Sequence, residues 1–289
     1  MRAIRSCGLE GDCGKIRNRP AFTLLELLVV IAILGILAAL SVPALKNLGK
    51  SNVQVSAARQ LLDDVARARQ LAISRHTTVF MVFVPEGFWN GLSANVQSLA
   101  ITTNLLDKQF TGYNFLSRRS AGDQPGQGTT NYLSEWKSLP DGAFVATNKF
   151  NVVYFPYFNY NPNYYRGYNS YPITDYSINA SYPINSFSTN SFPFPDETNS
   201  SVLLPYLAFN YLGQLTVLSG TGEVVAAQDE YIPLAQGNVA YAAAANKALQ
   251  FAAPDASETP PGNSTNSMFS IVRIDRLTGR ATLLQQKVQ

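Results

Sequence analysis

The chain has little of the chemistry that most enzymes and metal proteins use. Of its 289 residues, two are cysteine and one is histidine. Cys7 and Cys13 both lie before residue 22, so the rest of the chain has no thiol for nucleophilic attack or for a disulfide. His76 has no second histidine with which to share a metal ion. We therefore expect a protein without enzymatic activity and without a cofactor.

Charge is also scarce and evenly balanced. Charged residues make up 14% of the chain, and the net charge is +3. Residues 1–21 hold five of the basic and two of the acidic side chains, which leaves 17 of each sign in the remainder. A neutral remainder has no general attraction to nucleic acid or to anionic lipid.

The sequence does have one long apolar segment. From residue 27 to residue 40 every side chain is apolar or glycine, and only Ser41 interrupts the run before residue 45. A helix rises about 1.5 Å per residue and crosses a hydrocarbon core with about 20 such residues. Residues 22–45 are therefore predicted to form a transmembrane helix.

Glu26 is out of place in such a helix. A carboxylate at bilayer depth costs about 2.5–3.5 kcal/mol, so it should have a partner or a function. Two arginines and a proline precede Ala21 and Phe22. Cleavage between Ala21 and Phe22 would create an α-amino group one helical turn from Glu26, at the positive end of the helix. The two charges could then neutralise each other, within one chain or between neighbours.

The run that begins Ala21-Phe-Thr-Leu-Leu-Glu26 and continues Leu-Leu-Val-Val-Ile resembles the processing and methylation motif of type IV prepilins and type II secretion pseudopilins. The resemblance implies that a prepilin peptidase removes residues 1–21 and methylates the amine of Phe22. It implies that Glu26 guides subunit docking, and that Pro43 lies where pilin helices commonly bend. Ala21 stands where the family usually has glycine.

An amphipathic continuation of the helix is predicted over residues 46–76. Apolar residues recur there at steps of three and four, typical of a helix that packs on a globular domain. Asp63 and Asp64 are predicted to lie on its solvated face, beside Arg67. Residues 57–75 are similar to the minor pseudopilins of the H class.

Residues 77–289 are predicted to form an exported, β-rich domain. Strands are expected at 77–85, 143–147, 151–155 and 202–210, and a terminal hairpin at 269–284. Residues 154–195 hold nine tyrosines without a strand or helix period, which indicates an irregular surface insertion. Residues 252–266 are expected to form a loop. The fold class predicted is α+β and pilin-like, with a long N-terminal helix on an antiparallel sheet.

Three functions fit these observations. The first is a structural subunit, a minor pseudopilin, in a secretion or pilus filament. The second is a pilus-tip adhesin or DNA-uptake pilin, which would bind its ligand through the tyrosine-rich insertion or through Arg273, Arg276 and Arg280 of the last hairpin. The third is a secreted soluble binding protein or enzyme, released by ordinary signal peptidase near Ser41.

For the filament subunit, the resemblance implies several partners. They are the prepilin peptidase, other pilins, an inner-membrane assembly platform and the lipid bilayer, with nucleic acid disfavoured. It places the chain in the inner membrane with a single pass and a periplasmic C-terminal domain, which becomes part of an exported filament.

Overall fold

The computed structural model describes residues 24–119, 123–124, 128–150, 171–175, 180–220, 222–264 and 270–285. Residues 38–52, 171–175 and 180–183 are described by their backbone alone. The chain divides into two compact units, Met1–Leu48 and Gly49–Gln289. Helices and antiparallel sheets together confirm the α+β class.

The first element is α1, a 52-residue helix that spans Leu24–Arg75. It ends because His76 adopts a left-handed backbone conformation, with φ of 50°. The N–H of His76 donates to the carbonyl of Ile73 at 3.4 Å, and the N–H of Thr77 donates to the carbonyl of Ala72 at 3.2 Å. These two bonds form a Schellman cap, a motif that usually uses glycine. The single histidine of the chain therefore closes the helix.

Fifteen strands follow α1 in the described part of the chain. They are β1 Val79–Phe83, β2 Gly112–Ser117, β3 Asn131–Tyr132, β4 Lys137–Ser138, β5 Ala143–Val145, β6 Tyr171–Asp175, β7 Ala180–Ile184, β8 Ser188–Pro193, β9 Ser201–Phe209, β10 Leu215–Ser219, β11 Gly222–Val225, β12 Glu230–Ala240, β13 Asp255–Glu258, β14 Ser270–Ile274 and β15 Ala281–Gln285. Between β1 and β2 lie two short helices, α2 Ala94–Gln97 and α3 Ala100–Thr103. Short 3₁₀ helices occur at Phe88–Gly91, Leu106–Lys108 and Thr147–Phe150.

The larger sheet is built around β1. Its strands follow the order β11–β10–β9–β1–β2–β3, with β4 also paired to β2 and β8 also paired to β9. Alternate residues of a strand point to opposite faces. Val79 and Met81 pack in the core that includes α1, whereas Phe80 and Val82 pack in a second, aromatic-rich core. Both faces of β1 are therefore buried, which confirms the predicted strand.

The second sheet has the order β13–β12–β14–β15, with β5 also paired to β12. Strands β14 and β15 form the predicted terminal hairpin, with Ile274 opposite Ala281 beside the turn. Gly279 in that turn has φ of 63°, a conformation that glycine adopts without a steric penalty. A separate hairpin pairs β6 with β7.

One stripe of α1 joins the two sheets in a common core. Its buried side chains are Ala57, Ala58, Leu61, Val65, Ala68 and Ala72. They share a core with side chains of β1, β2, β9, β12 and β14. Successive residues of this stripe lie three or four positions apart along the helix, except for the adjacent pair Ala57 and Ala58. Burial of the leucine and the valine contributes about 1.5–3 kcal/mol per side chain.

The predicted irregular insertion at residues 154–195 is wrong at its C-terminal end. Strand β8 pairs with β9 over six residues, and Phe192 and Phe194 are fully buried. Strands β6 and β7 also give the described part of the insertion regular structure. Residues 151–170 and 176–179 lie outside the described residues, and so does the strand expected after residue 150.

The loop expected at residues 252–266 contains a strand. β13 pairs antiparallel with β12 over four residues, with Gly237 opposite Glu258 at one end and Ala240 opposite Asp255 at the other. Its composition gave no strand signal because half of its side chains are acidic. The pairing with β12, rather than intrinsic propensity, determines its conformation.

Candidate functional site

The candidate site is the N-terminal part of α1. The helix begins at Leu24, and Glu26 lies in its first turn. A carboxylate there interacts favourably with the positive end of the helix dipole. The predicted cleavage and methylation site, Ala21 and Phe22, lies outside the described residues.

The side chains that follow Glu26 are apolar and exposed. Eleven large apolar residues between Leu24 and Leu37 keep between 42% and 82% of their surface accessible. They occupy every side of the helix, in contrast with the single buried stripe of residues 57–72. A continuous exposed apolar surface of this kind marks an interaction with lipid or with other protein.

The exposed apolar surface described above covers residues 24–37 of the predicted span 22–45. Residues 22–23 and the side chains of residues 38–45 lie outside the described part of the chain, although the helix backbone continues through Pro43. The bend expected at Pro43 stays a prediction. Among the described residues, no helix has both the length and the apolar content needed to cross a membrane.

The second part of α1 is tied to the larger sheet by a carboxylate that the sequence analysis placed in solvent. Asp64 is buried, and its Oδ2 accepts a 2.6 Å hydrogen bond from the hydroxyl of Tyr113 on β2. Its Oδ1 accepts a 2.5 Å hydrogen bond from Nζ of Lys137. The predicted solvated face is therefore wrong at Asp64, whereas its neighbour Asp63 is exposed.

Gln60 completes this network. Its amide nitrogen donates to the hydroxyl of Tyr113 and to the carbonyl of Ser138, both at 2.8 Å. Burial, and after it the bond to Asp64, raises the pKa of Tyr113 above its ordinary value. The hydroxyl of Tyr113 therefore remains protonated and donates to Asp64, so the buried carboxylate has hydrogen-bond partners. In the sequence, Asp64 lies one helical turn from Leu61 and one from Ala68, and this spacing was the available signal that Asp64 is on the buried side of the helix.

The arginines proposed as ligand contacts lie at the end of the second sheet. Arg273 donates from Nε and Nη2 to Oδ2 of Asp229, at 2.8 Å and 2.6 Å. The backbone N–H of Arg276 donates to the other oxygen of Asp229 at 3.0 Å. The side chain of Arg280 is exposed. Asp229 therefore neutralises one of the three predicted contacts, which weakens the basic cluster.

Sequence reasoning missed the residue that holds this hairpin to the helix. Nε of Arg69 donates to the carbonyl of Thr278 at 2.7 Å and to that of Gly213 at 3.3 Å. Gly213 lies in the turn between β9 and β10, and Thr278 in the turn between β14 and β15. Arg69 looked like an ordinary solvated helix residue because its partners are backbone atoms far away in the sequence.

Comparison with known proteins gives one result for this N-terminal segment. Residues 16–42 match the family model described as the prokaryotic N-terminal methylation motif. The chain matches no curated protein and no solved structure. The matched residues include the predicted cleavage site, Glu26 and most of the exposed apolar surface. The match supports a type IV pilin-like protein.

Proposed function

We propose that the chain is a structural subunit of a type II secretion-type or type IV pilus-type filament, in particular a minor pseudopilin of the H class. The observation that carries the proposal is the match of residues 16–42 to the methylation motif. In this account prepilin peptidase cuts after Ala21 and methylates the new amine of Phe22. The similarity of residues 57–75 to H-class pseudopilins supports the finer assignment.

The exposed apolar surface between Leu24 and Leu37 has two successive roles in this account. Before assembly it lies in the inner membrane, where apolar side chains replace contacts with water by contacts with lipid. The assembly platform then extracts the subunit, and the same surface packs against the helices of neighbouring subunits. The domain that follows α1 is periplasmic and becomes part of the exported filament.

Glu26 supplies the polar contact that fixes register between subunits. A carboxylate on an otherwise apolar helix is costly unless it meets a positive charge. The amine of Phe22, on the same chain or on its neighbour, is the partner that cleavage creates. A single buried polar contact of this kind selects one alignment out of many apolar ones.

The role of Glu26 is tested with Glu26→Gln, introduced into the full-length chain in cells that carry its filament system. The fraction of the chain recovered in sheared filaments should fall by about tenfold or more, which corresponds to about 1.4 kcal/mol of docking energy. Cleavage after Ala21 should continue. Glu86→Gln, which changes an exposed carboxylate of the β-rich domain, serves as the matched control and should assemble normally.

Two results would oppose the proposal. Normal assembly of Glu26→Gln would remove the docking role from this carboxylate. Release of a soluble product from both the native chain and Glu26→Gln would instead favour an ordinary signal peptide. A binding role for the terminal hairpin is a weaker candidate, because Asp229 already pairs with Arg273.

A further inference from the structure

A groove in the unit Gly49–Gln289 has no part in the proposed filament assembly. It has a volume of about 650 Å³, within the usual range for a ligand site. Three stretches that are distant from one another in sequence line it. The first is α3 with the 3₁₀ turn and β2 that follow it, the second is β3 with the chain after it, and the third is the segment after β8. The fold therefore brings these stretches together at one place.

One wall of the groove is aromatic and fixed. The indole N–H of Trp136 donates to the carbonyl of Pro195 at 3.0 Å, and the hydroxyl of Tyr132 donates to the carbonyl of Pro193 at 2.7 Å. The Trp136 ring packs edge-to-face on buried Phe194, with ring centroids 5.3 Å apart. Because the polar atoms of both side chains already have partners, the surface that they offer a ligand is the aromatic ring itself.

The rim of the groove is negatively charged. Asp107, Glu135, Asp196 and Glu197 contribute four carboxylates, and Lys108 contributes the one ammonium group among the described lining residues. Lys108 lies 3.5 Å from Asp107 and offsets that charge. The other three carboxylates leave a local excess of negative charge in a domain that is neutral as a whole.

Asp196 is held in place as an anion. Its Oδ1 accepts hydrogen bonds from the backbone N–H and hydroxyl of Thr198 and from the amide of Asn199, at 2.7–2.9 Å. Partial burial raises the pKa of Asp196, but these hydrogen bonds outweigh that effect and leave the pKa below its ordinary value. The carboxylate therefore remains charged and oriented at neutral pH.

Asn114 adds a polar group to the lining of the groove. Only 2% of its surface is accessible, yet it lines the groove. Its Oδ1 accepts from the N–H of Phe115 at 2.7 Å and from the hydroxyl of Ser134 at 2.6 Å, which fixes the orientation of the amide. Its Nδ2 has no hydrogen-bond partner among the described residues. This donor is therefore available to an acceptor on a ligand in the groove.

We propose that this groove binds an arginine-bearing peptide segment of a partner protein. A guanidinium group stacks on an indole ring and pairs with carboxylates, and the groove offers Trp136 beside Glu135 and Glu197. A peptide carbonyl supplies an acceptor for Nδ2 of Asn114. Charge complementarity favours a cationic peptide over a neutral sugar. Three of the carboxylates have no ion-pair partner among the described residues, and a sugar carries no positive charge to supply one.

The test uses the full-length chain in detergent micelles and a fluorescently labelled, capped Gly-Arg-Gly-Arg-Gly peptide. Fluorescence anisotropy gives the Kd for this peptide and for the same peptide with citrulline, the neutral isostere of arginine. The arginine peptide should bind, binding should weaken as salt is added, and the citrulline peptide should not bind. Equal binding of the two peptides, or no binding of either, would overturn the proposal.

Charge-only variants then locate the site. Glu135→Gln and Glu197→Gln should each weaken binding by about two- to fivefold, and the double variant by about tenfold. Glu86→Gln removes an exposed carboxylate elsewhere and should leave Kd unchanged. An equal loss in Glu86→Gln would mean nonspecific attraction, and binding of maltose in place of the arginine peptide would make the groove a sugar site. Either result would contradict the proposal, and neither bears on filament assembly.

Discussion

Arg69 on α1 donates a 2.7 Å hydrogen bond from Nε to the carbonyl oxygen of Thr278, which is 209 positions away in the sequence. The same nitrogen also reaches the carbonyl of Gly213. The two hairpin turns approach so closely that a β-carbon on Gly279 would lie 2.0 Å from the carbonyl oxygen of Gly213. One helical side chain thus holds turns from both sheets at the same place.

Arg69→Ala should lower the free energy of unfolding by about 1–2 kcal/mol, because two backbone carbonyls lose a charged donor in a partly exposed setting. Chemical unfolding of the full-length chain in detergent, followed by near-UV circular dichroism, measures this change. Arg59→Ala alters an exposed arginine on the same helix and should change stability by less than about 0.5 kcal/mol. Equal effects of the two variants would show that Arg69 does not join the turns.

A buried ion pair between the 3₁₀ helix Thr147–Phe150 and the second sheet gives the next prediction. The side chain of Lys149 is fully buried, and its Nζ bonds to Glu230 on β12 and, at 2.5 Å, to the carbonyl of Asn185. Glu230→Gln leaves the ammonium group buried without its counter-charge and should lower the free energy of unfolding by about 3–5 kcal/mol. Thermal unfolding of the purified chain reports the loss.

The matched control for this pair removes both charges together. Lys149→Met combined with Glu230→Gln should be more stable than Glu230→Gln alone, since no unpaired charge is then buried. A double variant that is less stable than the single variant would contradict this explanation. In that case the attraction between Lys149 and Glu230 would stabilise the fold by more than the cost of removing both charges from water.

The turn of the terminal hairpin should make stability depend on pH in acid. Oδ1 of Asp275 accepts from the backbone N–H of Thr278 at 2.7 Å, from its hydroxyl at 2.8 Å and from the N–H of Leu277 at 3.1 Å. These bonds lower the pKa of Asp275 below its ordinary value. A lowered pKa in the folded state means that the stabilisation is complete above the unfolded pKa of about 3.9 and is lost as the pH falls through the folded value.

Asp275→Asn keeps an acceptor oxygen at this position but removes the titration. Between about pH 4 and pH 2 its unfolding temperature should therefore fall less steeply than that of the native chain. Asp63→Asn alters an exposed carboxylate of α1 and should retain the native slope. An unchanged slope in Asp275→Asn would place the acid sensitivity elsewhere in the chain.

The sequence predicted the elements whose local signals agree with their environment. Strand β1 is dense in β-branched and aromatic residues, and the last hairpin alternates about a glycine turn. The sequence did not predict β8, because its serine and asparagine residues resemble those of a loop and its conformation depends on pairing with β9. Asp64 was misjudged for a related reason, since its partners Tyr113 and Lys137 come from strands distant in sequence.

The N-terminal motif could be recognised from the sequence because it depends on consecutive residues, and the family match at residues 16–42 agrees with it. The arginine-binding groove was not predictable. Its lining comes from three distant stretches, and no short pattern in any of them indicates a site. Motifs made of consecutive residues can be recognised in the sequence, whereas a site that combines distant segments is recognised only in the folded structure.

The most direct test of the central claim is the mass of the N-terminal peptide of the membrane-associated chain, with prepilin peptidase present and absent. The account predicts an N-terminus at methylated Phe22 that appears only when the peptidase is present. An N-terminus near Ser41 would replace the filament subunit with a secreted soluble protein. An intact Met1 in both conditions would show that Ala21 does not permit processing, and would contradict the account.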